Sequence, residues 1–565
     1  MKRHYFYRPA PTGALIASLL LSAAGWAGAQ SWPDVARVKT LLRERVEANQ
    51  TVGIVLGVVD EHGTHLEGSG TFSRSDKRPV DGDTLFEIGS STKVFTSLLL
   101  AEMAERGKVK LDDPVAMYLP ATVKVPTRGT RQITLTSLST HRSGLPRLPD
   151  NLSLEDTANP YASYTVPQLY QFLSGYELTR DIDSQYEYSN LGAGLLGHAL
   201  SLRSGLNYES LVKQRICLPL GMSSTVITLD AAQKTRLAAG HGASGRQVSN
   251  WDLPTLAGAG AFRSSANDLL KFVAANLGLN RTPLLPAMKV QQMPRQATDI
   301  ANTKIGLGWH ITSRYGGDII WHNGETGGYH SFLGFDLKTK RGVVVLANTA
   351  NRIDDLGFHM LEPKYEVTQL EPIKLHAAVK VDAKILKRYV GRYQFSPAVS
   401  MNVKTEGDHL AIQLTGQGFI EVFPEAEKEF FCEVVDAQVS FVTDAQGKPT
   451  SLVLHQNKQD QTAKWVSAEL PKEKAVARVD PKVFELLAGK YELSPGAEFT
   501  VKRDGAKLMV QLTGQPFFEI FPTSDLEYFY KIVDAQIKFV KGPDGQISEL
   551  VLHQGGMDLK ARRLR

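Results

Sequence analysis

Phe86-Glu87-Ile88-Gly89-Ser90-Ser91-Thr92-Lys93 runs directly into Val94-Phe95-Thr96-Ser97-Leu98-Leu99-Leu100. Val94, Phe95, Leu98, Leu99 and Ala101 recur at helical spacing, and Gly107 is placed to cap the far end. This predicts a helix with Ser90 at or near its N-terminus, where unpaired N–H groups favour developing negative charge. Lys93 falls on the same face one turn along, so an amine stands beside a hydroxyl. A serine hydroxyl is a poor nucleophile at neutral pH unless a base takes its proton, and a partly desolvated lysine can be that base.

Ser-x-x-Lys also arises by chance. Ser210-Leu211-Val212-Lys213 matches it, but no glycine turn precedes that serine, and Ser210 reads as a mid-helix polar residue. Ser90 taken alone is equally well an N-cap serine with a solvated lysine. The rest of the chain has to decide.

The 565 residues allow three or four domains, and 42% hydrophobic with 22% charged residues is an ordinary globular composition. Residues 1–29 read as a secretory signal. Lys2, Arg3 and Arg8 form the positive n-region, Ala14 to Ala24 the apolar stretch, and Ala27-Gly28-Ala29 the cleavage site. The apolar stretch is too short to span a membrane, though an uncleaved anchor is the alternative. Periplasmic or secreted localisation is expected. Cleavage removes three basic and no acidic residues, taking the formal net charge from +5 to +2, which argues against nucleic acid as a partner. Cys217 and Cys432 fall in different segments and read as separate buried thiols. No Cys/His cluster has metal-ligand spacing, and the expectation is a protein without cofactors.

Along the mature chain, Val35 to Glu47 reads as a helix, and Gly53 to Val59 with His65 to Thr71 as a hairpin. Helices are expected at Ile133 to Thr140, Leu191 to Leu200 and Asp268 to Leu277. Strand texture follows from Gly308 to Asn348. Strands at both ends with helices inserted between them predict an α+β domain over 30–361, its terminal strands paired in one antiparallel sheet. His141, in His141-Arg142-Ser143-Gly144-Leu145-Pro146, reads as a structural hydrogen-bonding residue near the site.

Residues 362–381 read as a linker, and an internal repeat follows over 382–470 and 480–565. Tyr389-Val390-Gly391-Arg392-Tyr393 returns as Leu487-Ala488-Gly489-Lys490-Tyr491, and Leu452-Val453-Leu454-His455-Gln456 as Leu550-Val551-Leu552-His553-Gln554. Gln413-Leu414-Thr415-Gly416-Gln417 and Val435-Asp436-Ala437-Gln438 return as well, always 98 positions on. Short alternating segments between glycine turns predict two small all-β barrels. His455 and His553 read as structural.

Three motifs fall in order: Ser90-x-x-Lys93, Tyr188-Ser189-Asn190 and His322-Asn323-Gly324. In this order, within an α+β frame, they resemble the serine β-lactamase and penicillin-binding protein superfamily. The match is to class C β-lactamases and related D-alanyl-D-alanine carboxypeptidases/endopeptidases, D-aminopeptidases and esterases. The supporting stretches are Phe86 to Ser90, Leu111-Asp112-Asp113-Pro114-Val115 and Gly324-Glu325-Thr326-Gly327-Gly328-Tyr329. The repeats resemble lipocalin-like barrels appended to other secreted members.

The resemblance implies roles residue by residue. Ser90 is the acylated nucleophile, Lys93 helps deprotonate it, and Tyr188 is the general acid or base toward leaving group and water. Asn190, His322, Asn323 and Gly324 bind substrate. The backbone N–H groups of Ser90 and Glu325 form the oxyanion hole. The implied reaction is hydrolysis of the amide of β-lactams or D-amino-acid-containing peptides through an acyl-enzyme. An esterase of the same fold and a sensor that acylates without turnover are the alternatives. The repeats could hold cell-wall fragments. Two physical expectations go with this: Lys93 eases formation of a Tyr188 phenolate, and His322, where many members have Lys-Thr-Gly, grips a substrate carboxylate through neutral hydrogen bonds.

Overall fold

Alternation along β1 (Gly53–Asp60) sets the layers of the first domain. Ile54, Leu56 and Val58 face one core, while Val55 and Val59 face another, as a period of two requires. β1 pairs antiparallel with β2 (Gly63–Gly70) on one side and with β8 (Arg341–Ala347) on the other. The chain's first and last strands in this domain therefore meet, as the sequence predicts. The remaining strands are β3 (Gln296–Ala297), β4 (Thr303–Ile305), β5 (His310–Arg314), β6 (Gly317–Glu325) and β7 (His330–Asp336), giving the order β2-β1-β8-β7-β6-β5-β4-β3.

This is a computed structural model, describing residues 35–152, 156, 158–397, 399–415, 417, 419–432, 437–456, 459–470, 476–477, 479–505, 507–513, 517–530, 535–554 and 557–564. The expected signal over 1–29 lies outside the described residues, as do Gly416, Val435, Asp436, Gly514, Gln515, Val533 and Asp534 of the repeat pairs.

Two layers of helix cover the sheet. α1 (Val35–Glu47) and α5 (Asp354–Leu361) pack on the Ile54 face through Val38, Leu41, Leu42, Leu356 and Met360. The other face carries the inserted helices, among them α2 (Thr92–Glu105), α3 (Asn190–Ser204) and α4 (Ala266–Asn276). α4 crosses β1 where Gly57 leaves room for Leu270; a Cβ there would sit 2.5 Å from a Leu270 methyl. Helix α2 departs from the one-sided pattern expected of it. Every residue from Thr92 to Met103 is buried, so it is a central helix surrounded by others. No described helix is long and apolar enough to cross a membrane.

The repeats form two closed eight-stranded barrels, from Gly391–Ser396 to Gln459–Ser467 and from Gly489–Ser494 to Met557–Arg563. An eight-stranded barrel is just wide enough for side chains to fill, and both are filled, the first by Tyr393, Met401, Val403, Val439 and Leu452 among others. The offset of 98 reappears as physics. The Tyr393 hydroxyl donates to the Tyr389 carbonyl at 2.9 Å, and Tyr491 to Leu487 at 2.7 Å. The Val379 N–H donates to the Pro424 carbonyl, and Ala477 to Pro522, each at 2.8 Å.

Residues 362–381 are more than a tether. Tyr365 and Val367 pack against the α1/α5 core, and the Ile373 N–H donates to the Ala48 carbonyl at 2.9 Å. The first barrel docks through His376, stacked 5.0 Å from Phe431, and through Arg246 of the first domain, 5.0 Å over Phe423. Cys217 and Cys432 are buried free thiols, and burial pushes both up to about 12.

Candidate active site

Ser90 lies in a one-turn 3-10 segment, Gly89–Ser91, which leads into α2. Two glycines let this turn press against β6. Gly89 has φ +47°, and a Cβ on it would sit 2.7 Å from the Glu325 nitrogen. A Cβ on Gly324 would fall onto the Ile88 carbonyl oxygen and reach 2.7 Å from Ser331 Oγ. Gly324 is therefore needed for close approach, and it brings the Glu325 backbone against the serine turn. Ser331 locks the contact: its hydroxyl donates to the Ile88 carbonyl at 2.8 Å and so accepts from Ser91, also at 2.8 Å. Gly324→Ala is expected to lose about 1–3 kcal/mol, the usual cost of overpacking, and to slow Ser90 acylation. A melt and a labelling rate measured on the same protein check both.

Lys93 is 1% exposed. Its Nζ lies 2.9 Å from Ser90 Oγ, 2.8 Å from Asn190 Oδ1 and 2.7 Å from the Ala259 carbonyl. A neutral amine has two hydrogens and one lone pair. The two fixed acceptors take the hydrogens, which leaves the lone pair for the Ser90 hydroxyl. Burial, reinforced by the Arg147 charge, holds Lys93 well below the usual lysine range, so its electrostatics agree with its hydrogen bonds.

Tyr188 is half-buried beside them, with Lys93 Nζ 4.8 Å from its ring centre. The sequence-based expectation of an eased phenolate does not hold. Contact with Ser90 and the Arg147 charge draw the phenol pKa down, but burial outweighs both and pushes it above the ordinary value. Proximity to a cation is visible in sequence; loss of water is not. Tyr188 stays a neutral phenol.

Three histidines back this tyrosine. His141 lies 4.5 Å from its ring and accepts the Ser189 N–H on Nδ1 at 3.1 Å. His322 lies 6.4 Å from it, and His310 5.1 Å from His322. Burial depresses all three, His310 to about 4, so each is neutral near pH 7.

His322 and Asn323 correct the third motif. His322 is on the same face of β6 as Ile320, toward the helices. Its Nδ1–H donates to the Asn323 carbonyl at 2.5 Å. The carbonyl can only accept, so Nε2 keeps its lone pair, and among the described residues that nitrogen is buried without a partner. A lone pair cannot bond a carboxylate, so the neutral grip expected of His322 is absent. Asn323 falls on the opposite face by strand alternation, and its amide donates to Asp354 of α5 at 2.9 Å. Its side chain is a structural strut.

Other side chains complete the site without forming a sequence motif. Tyr161 accepts from Asn190 Nδ2 at 3.0 Å, orienting the amide that receives Lys93. Arg147 stacks with Cζ 5.2 Å over the Tyr188 ring. Buried Glu87 takes Arg263 Nη2 at 3.0 Å and the Trp251 N–H at 3.1 Å, tying the strand before Ser90 to the loop at Trp251. Arg147 directly follows the His141–Pro146 stretch, the one available signal; Tyr161 had none.

The decoys separate cleanly. Ser210 is exposed on the short helix Tyr208–Val212, and Lys213 pairs with Glu209 at 3.4 Å. On the first barrel's outer wall, His455 links Ser440 Oγ at 2.8 Å to Asp460 at 2.7 Å. The strand backbone there is committed to pairing with Glu429 and Val453, and the second barrel has Lys538 in the serine's place. That trio has the bonding order of a catalytic triad without an oxyanion hole.

A sequence profile described as beta-lactamase matches residues 38–359. The chain belongs to the β-lactamase family. As a member it is a serine hydrolase, and the matched span holds Ser90, Lys93, Tyr188, Asn190 and His322. Each barrel, over 375–467 and 473–564, matches a domain of unknown function, DUF3471. The chain is 29% identical over 341 residues to the D-alanyl-D-alanine-carboxypeptidase/endopeptidase AmpH of Escherichia coli (strain K12), covering 58% of this chain and 87% of that one. It is 25% identical over 457 residues to penicillin-binding protein 4* of Bacillus subtilis (strain 168), covering 75% and 97%. The octameric penicillin-binding protein homologue from Pyrococcus abyssi shares the fold with a TM-score of 0.53 at 20% identity, over 86% of this chain and 100% of that one.

Proposed function

We propose that this chain is an exported acyl-serine hydrolase that cleaves the amide bond of β-lactams or D-amino-acid-containing peptides. The observation that carries the reading is Ser90 Oγ at 2.9 Å from a buried Lys93 whose other contacts are fixed acceptors. Ser90 Oγ attacks the carbonyl carbon while its proton passes to Lys93. The Ser90 and Glu325 N–H groups hold the oxyanion. Tyr188 hands its phenolic proton to the leaving nitrogen and is reprotonated from Lys93, so the C–N bond breaks with an acyl group on Ser90. Water then attacks that ester along the reverse proton path, releasing the acid and restoring the serine hydroxyl. The relative AmpH, named a carboxypeptidase/endopeptidase, supports a D-peptide substrate.

Export rests on the n-region, apolar stretch and cleavage site over 1–29. The barrels would hold cell-wall fragments on their outer surfaces, since their interiors are occupied by side chains. The neutral His322 favours a second reading, an esterase, because no charge on β6 selects for a carboxylate. A panel of a chromogenic cephalosporin, a D-Ala-D-Ala peptide and a p-nitrophenyl ester, run on wild type and Ser90→Ala, decides between them. Multiple turnover of an amide, lost in Ser90→Ala, is expected. Turnover of the ester alone would favour the esterase, and one acylation without turnover the sensor.

A further inference from the structure

With His141 and His310 held neutral by burial behind Tyr188, three groups remain around the reacting atoms that carry or could carry positive charge, and two of them are unavailable to an anion. Both hydrogens of Lys93 go to Asn190 and the Ala259 carbonyl. His322 presents a lone pair. Arg147 is the third. It is exposed, and its Cζ stacks 5.2 Å over the Tyr188 ring. Its carbonyl accepts the N–H groups of Asn190 at 3.0 Å and Leu191 at 3.2 Å. The start of α3 therefore holds the Arg147 backbone two residues beyond Tyr188. Among the described residues no carboxylate pairs with its guanidinium, which keeps five N–H donors in a planar fork suited to a carboxylate.

We propose that Arg147 reads the substrate's carboxylate from the Tyr188 side of the site, in place of a cation on β6. The inference rests on the acyl-serine reading above and names its substrate class: amides whose leaving nitrogen carries a carboxylate on the neighbouring carbon. A C-terminal D-amino acid has that arrangement, and so does the fused ring of a penicillin. Tyr188 protonates the leaving nitrogen, and a carboxylate one carbon from that nitrogen falls on the side of the site where Arg147 lies 5.2 Å over the Tyr188 ring. An Arg on this side couples recognition to departure of the leaving group, whereas a cation on β6 would grip from across the site.

The test uses matched D-Ala-D-Ala peptides, one a free acid and one a C-terminal carboxamide, with the full-length protein, Arg147→Gln and Arg147→Lys. The readout is the acid-to-amide ratio of kcat/KM, with fluorescent penicillin labelling of Ser90 measured alongside. Wild type is expected to prefer the acid. Arg147→Gln should lower the ratio roughly 10- to 100-fold, and Arg147→Lys, a point charge without the fork, should restore part of it. The same ratio in all three proteins overturns the role of Arg147. A wild type that labels at Ser90 yet treats acid and amide alike overturns it too, while leaving the acyl-serine reading intact. A wild type that neither labels nor turns over either peptide overturns both together.

Discussion

Lys93→Met is expected to slow acylation of Ser90 by about 10²–10⁴-fold, the usual worth of a positioned base. Methionine keeps much of the length and apolar volume of lysine and removes the lone pair that faces Ser90. The wild type should also show an acid limb: kcat/KM falls as pH drops through the Lys93 pKa, which burial and then Arg147 hold well below the ordinary lysine value. The variant should lack that limb. Stability reports the same group independently. A folded-state pKa below the unfolded one means that, between the two, the unfolded chain binds the extra proton. Unfolding free energy therefore rises with pH across that window, by up to about 1.4 kcal/mol per pH unit. Wild type should gain stability relative to Lys93→Met as pH rises toward 10.5. Parallel curves from chemical denaturation across that range would show that Lys93 is protonated in the folded protein, and the neutral base would fail with it.

Tyr188→Phe carries the second large effect, a loss of about 10²–10⁴-fold in turnover. Phenylalanine preserves the ring that Lys93 and Arg147 cover, at 4.8 and 5.2 Å, so folding and the initial approach of substrate are retained. The missing hydroxyl is the proposed proton donor to the leaving nitrogen. Because burial keeps the phenol neutral, the loss should depend on the leaving group. Amides with basic leaving nitrogens should suffer most, and p-nitrophenyl esters, whose leaving group departs unprotonated, least. Equal losses for both, or none for the amide, would remove Tyr188 from leaving-group protonation.

The parts of this site that were legible in sequence are those packed into contiguous motifs. Ser90 and Lys93 share one helical turn, so spacing placed that pair together, whereas Tyr188 and Asn190, a short contiguous motif, were placed beside them by the family resemblance. The doubled barrel was legible because a constant offset of 98 is a covalent fact. What sequence misjudged was environment. The motif reading made Asn323 a substrate ligand, but strand alternation turns its side chain away to Asp354. It made His322 a carboxylate ligand, but the neighbouring carbonyl fixes its tautomer. It made Tyr188 easier to ionise, but burial dominates. Arg147, Tyr161 and His310 come from separate loops and strands, and only the fold brings them beside Tyr188.

The central claim is that Ser90 becomes covalently acylated. Intact mass after incubation with a penicillin, followed by peptide mapping, tests it most directly. The expected result is one adduct per chain on the peptide containing Ser90, absent in Ser90→Ala and retained in Ser210→Ala and Ser440→Ala. An adduct that persists in Ser90→Ala, or maps to Ser210 or Ser440, would contradict the account.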